Sequence, residues 1–416
     1  MSGGRAQRVI LFVHCADEWY GSDYVLHEAA RALEGTEFRP VVVVPDDVAS
    51  DIPNDRRLSA RLSAAGVTVH RLPVAVLRRR YMSPAGIAAL MKRRRVARRA
   101  VLDAIAGLDV ALVHSHTAGV MTGASVARAL GVPHLWHVSE IVERPRAVAR
   151  WLARRISARA DRVVAVSHAV RDHLVALTPG IASRATVIHN AIDATRFDGV
   201  DARAERLRLS PDDACLVGLV GRVGMQKGQE ILLEAMRDVV RDTPDVRIAL
   251  IGGVLDRNFE ALERLRALAA SAGLAHRTTI DGYAVDVAPS LAAMDIVVQP
   301  STRADSFPTT VLEAMASGKP VIASDNGGSR EMVVHGETGF IVPSGDVAAL
   351  AAAVTKLVRD PALRARMGAA GRARVIANFG PARFREGYLR EYRALCASAA
   401  ATTSRTTASR STRASA

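Results

Sequence analysis

Asp305 and Glu313 stand in one stretch from Gln299 to Glu331, QPSTRADSFPTTVLEAMASGKPVIASDNGGSRE. Carboxylates accept hydrogen bonds from sugar hydroxyls, and a vicinal diol such as that of ribose suits a bidentate glutamate. Asp305 lies in a polar loop with two prolines; Glu313 lies in a helical run, Thr310 to Ser317, that stops at Gly318. An apolar run, Met294 to Val298, precedes the loop, and a second one, Pro320 to Ser324, leads into Asn326-Gly327-Gly328. Strand, polar loop, helix N-terminus, strand and Gly-rich loop make a layout that receives anions at the carboxyl edge of a parallel sheet. An ordinary βα unit with a solvated loop has the same outline, and singly each acid would pass for a surface carboxylate. Flanking one loop, they read as a pair of sugar-binding groups.

Arg222 and Lys227 offer the opposite charge in Gly221-Arg222-Val223-Gly224-Met225-Gln226-Lys227-Gly228, between a strand-like run and a helical one. Arginine presents a fork of donors to phosphate oxygens, and lysine a movable point charge. Two cations at a helix N-terminus oppose the helix dipole unless an anion sits between them, which sets this turn apart from a solvated basic one. The spacing is not that of a Walker loop. Gly21, in Tyr20-Gly21-Ser22-Asp23, would let backbone approach a ligand at another helix start, although an ordinary βα turn uses glycine too. His137, in Leu135-Trp136-His137-Val138-Ser139-Glu140, ends a strand where an imidazole could meet a sugar hydroxyl or a reacting carbon. His114 and His116 end the preceding strand; a structural role for strand-end histidines is the competing reading. Their spacing matches no zinc pattern.

The elements that must position these groups alternate regularly. Strands are expected at Arg8 to His14, Pro40 to Val44, Val67 to Leu72, Val110 to His114, Pro133 to His137, Arg162 to Val166 and Thr186 to His189, with helical runs between them. From Asn190 to Asp213 the periodicity breaks into charged, irregular sequence, which reads as a linker. A second series then begins with strands Leu216 to Gly221, Arg247 to Gly252 and Thr278 to Asp281. This alternation predicts an α/β chain of two Rossmann-like, doubly wound parallel-sheet domains facing across a cleft. The expected boundaries are 1–190, a linker at 191–213, 214–377, a C-terminal helix at 378–396 and a disordered Ser/Thr/Ala/Arg tail at 397–416.

Three distant cysteines, Cys15, Cys215 and Cys396, match neither a disulfide framework nor a metal set. With no apolar run near the roughly 18 residues of a spanning helix, a cytoplasmic protein is expected. The net charge of +14 is unevenly placed: nine basic residues and no acid lie between Arg78 and Arg99. A second cluster runs from Arg144 to Arg162. Each run holds a single aromatic, Tyr81 and Trp151, too few for a stacking platform, which argues against single-stranded nucleic acid and leaves an anionic membrane or a phosphorylated ligand.

On these residues the chain resembles a retaining glycosyltransferase of family 4, with the GT-B fold, from Arg8 to about Leu395. The family's Gly-Arg and Lys-Gly pairs match Gly221-Arg222 and Lys227-Gly228, and its acidic pair precedes an Ala-Met-Ala-x-Gly-x-Pro-Val run, here Ala314 to Val321. The resemblance implies that Arg222 and Lys227 hold a donor diphosphate, Glu313 the nucleotide ribose, and Asp305 the donor sugar. It also implies that amides of the loop through Ser306, Phe307, Thr309 and Thr310 receive sugar and phosphate, and that His137 lies near the reacting carbon. Two positions depart from the pattern. Asp305 replaces a glutamate one methylene longer, so either the loop closes the gap or the sugar differs. Pro308 replaces a glycine and donates no amide.

The resemblance further implies transfer from a nucleoside-diphosphate sugar to a saccharide or lipid-linked acceptor, with retention and with neither metal nor cofactor, in cell-surface polysaccharide or glycolipid assembly. The first domain would bind the acceptor. Val148, Trp151, Leu152 and Ile156 share one helical face edged by arginines, consistent with a helix lying on anionic lipid; a core-facing stripe is the alternative. A GT-B epimerase or phosphorylase and a non-catalytic sugar-nucleotide binder are the competing functions.

Overall fold

The computed structural model describes residues 7–47, 53–78, 81, 83–224, 226–254 and 259–414, with side chains through residue 401. Met225 of the basic turn, Arg79 and Arg80 of the first basic run, and the last two positions of the tail lie outside the described residues. The chain divides into two compact units, Met1–His189 with Pro381–Ala416, and Asn190–Gly380.

In the first unit seven strands form one parallel sheet: β1 (Arg8–Val13), β2 (Phe38–Pro45), β3 (Thr68–Leu72), β4 (Val110–His116), β5 (His134–Val138), β6 (Arg162–Ala165) and β7 (Ala185–Val187). Their order is β3-β2-β1-β4-β5-β6-β7. The central strands read as nearly unbroken aliphatic runs because helices cover both faces, and each fully buried aliphatic side chain contributes about 1.5–3 kcal/mol. Val9, Leu11 and Val13 of β1, Val41 and Val43 of β2, and Val113 of β4 are fully buried in one cluster. The chain winds from β1 outward to β3 and then returns to β4 on β1's other side. The gap between β1 and β4 is therefore the switch point of this sheet, where crossover connections leave in opposite directions.

The second unit repeats the plan with β8 (Cys215–Val220), β9 (Val246–Ile251), β10 (Thr278–Asp281), β11 (Ile296–Gln299), β12 (Val321–Ser324) and β13 (Gly339–Val342). All pair in parallel in the order β10-β9-β8-β11-β12-β13, so its switch point lies between β8 and β11. Both units are Rossmann-like.

Several expectations need correction. The supposed linker folds: Ala194–Phe197 is a 3-10 turn and Arg203–Leu209 an α-helix, both within the second unit. Arg206 holds that helix down, its guanidinium donating to the Ala293 and Ala214 carbonyls and to Asp295, each at 2.8 Å. Ala293 and Asp295 lie 87 and 89 positions away in sequence, so no local pattern announces them. The tail expected to be disordered continues the helix Pro381–Ala414; after Gly387 the sequence is alanine-rich and free of glycine and proline, so nothing local stops it. On the helix Arg146–Arg159, Leu152 and Ile156 point into the core and Val148 packs beside them, while Trp151 stays 44% exposed. The apolar face is thus the core-facing stripe, with a single tryptophan left outside.

Candidate functional site

The second unit gathers its charged residues at its switch point. Lys227 follows β8 and Asp305 follows β11, and the Lys227 ammonium donates to the Asp305 carboxylate at 2.6 Å, both side chains being largely buried. Two glycines make this approach possible. Gly228 adopts φ +79°, and a Cβ there would overlap the Pro300 carbonyl oxygen, so the turn bearing Lys227 lies directly on the strand end leading to Asp305. Gly327, at φ +58°, lies backbone-to-backbone on Asp305, and the Gly328 amide donates to the Asp305 carbonyl at 2.9 Å. Asn326 Nδ2 donates to the Ser301 carbonyl at 2.6 Å. What reads in sequence as a flexible Gly-rich stretch is a brace for the aspartate loop.

Arg222 is exposed on the same turn as Lys227. Gln229 Nε2 fixes the turn by donating to the Arg222 carbonyl at 2.9 Å. Pro308 caps the helix Thr309–Ala316, its carbonyl accepting from the Val311 amide, so the helix starts with Thr309 and Thr310 half-buried. Thr310 Oγ1 lies 3.4 Å from Gln299 Oε1. Ser306 is half-buried, whereas the Phe307 ring is buried edge-on against Phe379, leaving only main-chain atoms of Phe307 to serve a ligand. Glu313 is half-buried on the helix. Burial pushes its carboxyl up to about 7; Arg196 nearby acts in the opposite sense, and Asp286 adds to the rise. Arg196 sits in the stretch that reads as linker, and no signal in its own neighbourhood ties it to Glu313.

The first unit places His137 at the end of β5 with no exposed surface. Its Nδ1 shares a short hydrogen bond with the Tyr388 hydroxyl, its ring stacks on His116 at 4.2 Å, and burial pushes it down to about 3, so it is neutral. His114 bonds Tyr392 through Nδ1 at 2.8 Å. His14 Nε2 lies 3.2 Å from Asp23 Oδ1. Four imidazoles therefore line the ends of three adjacent strands, and the helix Pro381–Ala414 is tied to them by its tyrosines. Gly21 is the first residue of the helix Gly21–Arg31, and the carboxylate of Asp23 already accepts the Tyr20 amide at that helix start, at 3.1 Å.

Residues 203–374 match the model of the family described as Glycosyl transferases group 1, and residues 19–196 that of Glycosyltransferase Family 4. The chain is 32% identical over 304 residues to the D-inositol 3-phosphate glycosyltransferase of Frankia alni, spanning 68% of this chain and 74% of that protein. It is also 32% identical over 368 residues to the GDP-mannose-dependent alpha-mannosyltransferase of Mycolicibacterium smegmatis, spanning 84% and 87% respectively. A crystal structure of HepE from Anabaena in complex with UDP-glucose superposes with a TM-score of 0.79 at 22% identity, over 93% of this chain and 100% of that one, a likeness of fold.

Proposed function

Because the chain belongs to the group 1 glycosyltransferases and folds as two Rossmann-like units of the GT-B kind, we propose that it moves a sugar from a nucleoside-diphosphate sugar to an acceptor hydroxyl with retention of configuration. The observation that carries this reading is the Lys227–Asp305 pair at the second unit's switch point, on a loop braced by Gly327 and Gly328. Lys227 would exchange its aspartate partner for the donor diphosphate, together with Arg222. Asp305, released, would accept from donor-sugar hydroxyls, and Glu313 would hold the ribose. Amides at Ser306, Phe307, Thr309 and Thr310 would receive sugar and phosphate oxygens. Cationic side chains and helix amides stabilise a leaving diphosphate without help from a metal. The leaving phosphate would take the acceptor proton in a front-face route. His137, buried and neutral, would act through the shape of the first unit's sheet edge, and Gly21 by admitting backbone close to the donor.

The relatives' names favour GDP-mannose as the first donor to try and a polyol, glycolipid or polysaccharide as acceptor class. Among the described residues no helix is long and apolar enough to cross a membrane. Exposed Arg150, Trp151 and Arg154 support peripheral contact with anionic lipid at the inner face. Within the first basic run, Arg78 and Arg93 are partly neutralised by Asp46 and Asp47, while Lys92, Arg95, Arg98 and Arg99 remain exposed.

Incubation of the full chain with GDP-mannose or UDP-glucose and a polyol acceptor such as myo-inositol, with and without chelator, tests the reading. Nucleoside diphosphate should be released in both conditions, and the transferred sugar should keep the donor's anomeric configuration by proton NMR. An inverted product would remove the retaining mechanism, and a chelator-sensitive reaction would remove metal independence.

A further inference from the structure

The first unit carries a second built feature at its own switch point. Thr117 directly follows β4 with φ +84°, the single non-glycine residue at positive φ among the described residues. A β-branched residue held there is strained, and the surroundings must impose it. They do: the Trp136 indole donates to the Thr117 carbonyl at 2.9 Å, and the Thr117 amide donates to the His137 carbonyl at 3.0 Å. The turn aims the next amide, that of Ala118, at Glu140, whose Oε2 accepts from it at 3.0 Å and from the Ser139 amide at 3.1 Å. Two main-chain donors thus fix one carboxylate oxygen of a half-buried glutamate, while no other residue among those described donates to its second oxygen. Beside it, His14 closes the β1 side, and buried ring nitrogens of His14, His116 and His137 also lack partners among the described residues.

We propose that Glu140 is a hydroxyl-binding residue of the acceptor site, its second oxygen accepting a hydrogen bond from a polyhydroxylated acceptor at the β1/β4 switch point. This rests on the transferase reading and names a residue for the half of the reaction that the second unit does not serve. The chemistry fits: ligands of doubly wound sheets sit beyond the carboxyl ends of the strands at the switch point, and a carboxylate oxygen that is oriented but unpartnered is an acceptor awaiting a donor. Burial pushes the carboxyl up while the amides of Ala118 and Ser139, His14 and the glutamate's own amide pull it back. In sequence Glu140 is merely the acid three positions past His137, because its significance lies in the Thr117 turn 23 positions earlier.

The test uses the full chain and three free polyols, methyl α-D-mannopyranoside, methyl α-D-glucopyranoside and myo-inositol, followed by saturation-transfer NMR in the presence of GDP or UDP. At least one polyol should bind the wild type. Glu140→Gln keeps an oxygen for the two amides but turns the free oxygen into a donor, so it should melt as the wild type does and weaken that polyol about ten-fold or more. Its affinity for the nucleotide should not change. Glu140→Asp, with its charge intact but one methylene short of the amides, should weaken the polyol a few-fold and serves if the glutamine variant does not fold. Equal polyol binding by wild type and variants, or no polyol binding to a wild type that binds nucleotide, overturns the assignment of Glu140 alone. Failure to bind any nucleotide instead overturns the transferase reading on which it rests.

Discussion

Replacing Glu313 by glutamine should stabilise the protein at high pH. An unfolded glutamate loses its proton near 4.5, whereas burial raises the Glu313 carboxyl to about 7. Between those values the folded chain binds more protons than the unfolded one, so stability falls as pH rises through this window, and above it the full cost of an ionised buried carboxylate stands. At about 1.4 kcal/mol per pH unit, the cost at pH 8.5 is on the order of 3 kcal/mol. Glutamine keeps the shape and cannot ionise. The Glu313→Gln variant should therefore match the wild type near pH 4.5 and exceed it at pH 8.5. In thermal unfolding this is a shift of up to about 6–12 °C in the transition of the second unit, a body of the size for which each kcal/mol moves the midpoint about 2–4 °C. Melting curves of both proteins at the two pH values read the effect. A variant destabilised at pH 8.5, or stabilised equally at both pH values, would refute burial as the dominant influence on this carboxyl.

The same geometry makes three other outcomes testable. Gly228→Ala should lower the urea midpoint of the second unit, since the left-handed conformation alone costs about 1–2 kcal/mol for an L-residue and the added methyl meets the Pro300 carbonyl; an unchanged midpoint would mean the turn relaxes freely. Acid should unfold the first unit as pH drops from 6.5 toward 3, because burial lowers His137 to about 3 and His114 and His116 well below their usual value, so the unfolded chain takes up more protons. His116→Phe should flatten that acid limb in a fluorescence-monitored titration, and a limb of unchanged steepness would exclude His116 from it. The wild type should sediment with phosphatidylglycerol vesicles at low salt, and combined replacement of Arg150, Trp151 and Arg154 by alanine should leave the protein in the supernatant; a wild type that stays in solution ends the membrane proposal.

How much the sequence discloses depends on whether the cause is local. Aliphatic runs such as Val41 to Val44 and Ile296 to Val298 declare buried parallel strands, because helices on both faces demand unbroken apolar sequence. β13, from Gly339 to Val342, does not declare itself, since it opens on a glycine, which strands disfavour. β11 begins at Ile296 because the Met294 amide still bonds the preceding helical turn at Ser290 and Leu291. The residues of the second unit's site are legible as a set, since Arg222, Lys227, Asp305 and Glu313 recur on strand–loop–helix junctions. Their electrostatics are not. The Lys227–Asp305 bond spans 78 positions, and Arg196 reaches Glu313 from a stretch with no periodicity. In the first unit the histidines are visible as strand ends, but the burial that lowers His114, His116 and His137, and the tyrosines of the C-terminal helix that bond His114 and His137, become visible only once the chain has folded.

Calorimetric titration of GDP-mannose, UDP-glucose and ADP-glucose into the wild type, Asp305→Glu and Glu313→Ala puts the donor-site claim to its most direct test. One nucleotide sugar should bind the wild type, Glu313→Ala should bind it at least about a hundred-fold more weakly, and Asp305→Glu should keep nucleotide affinity while changing which sugar is preferred. Binding of none of the three to the wild type, or equal losses from both substitutions, would contradict the account of how this loop and helix hold a donor.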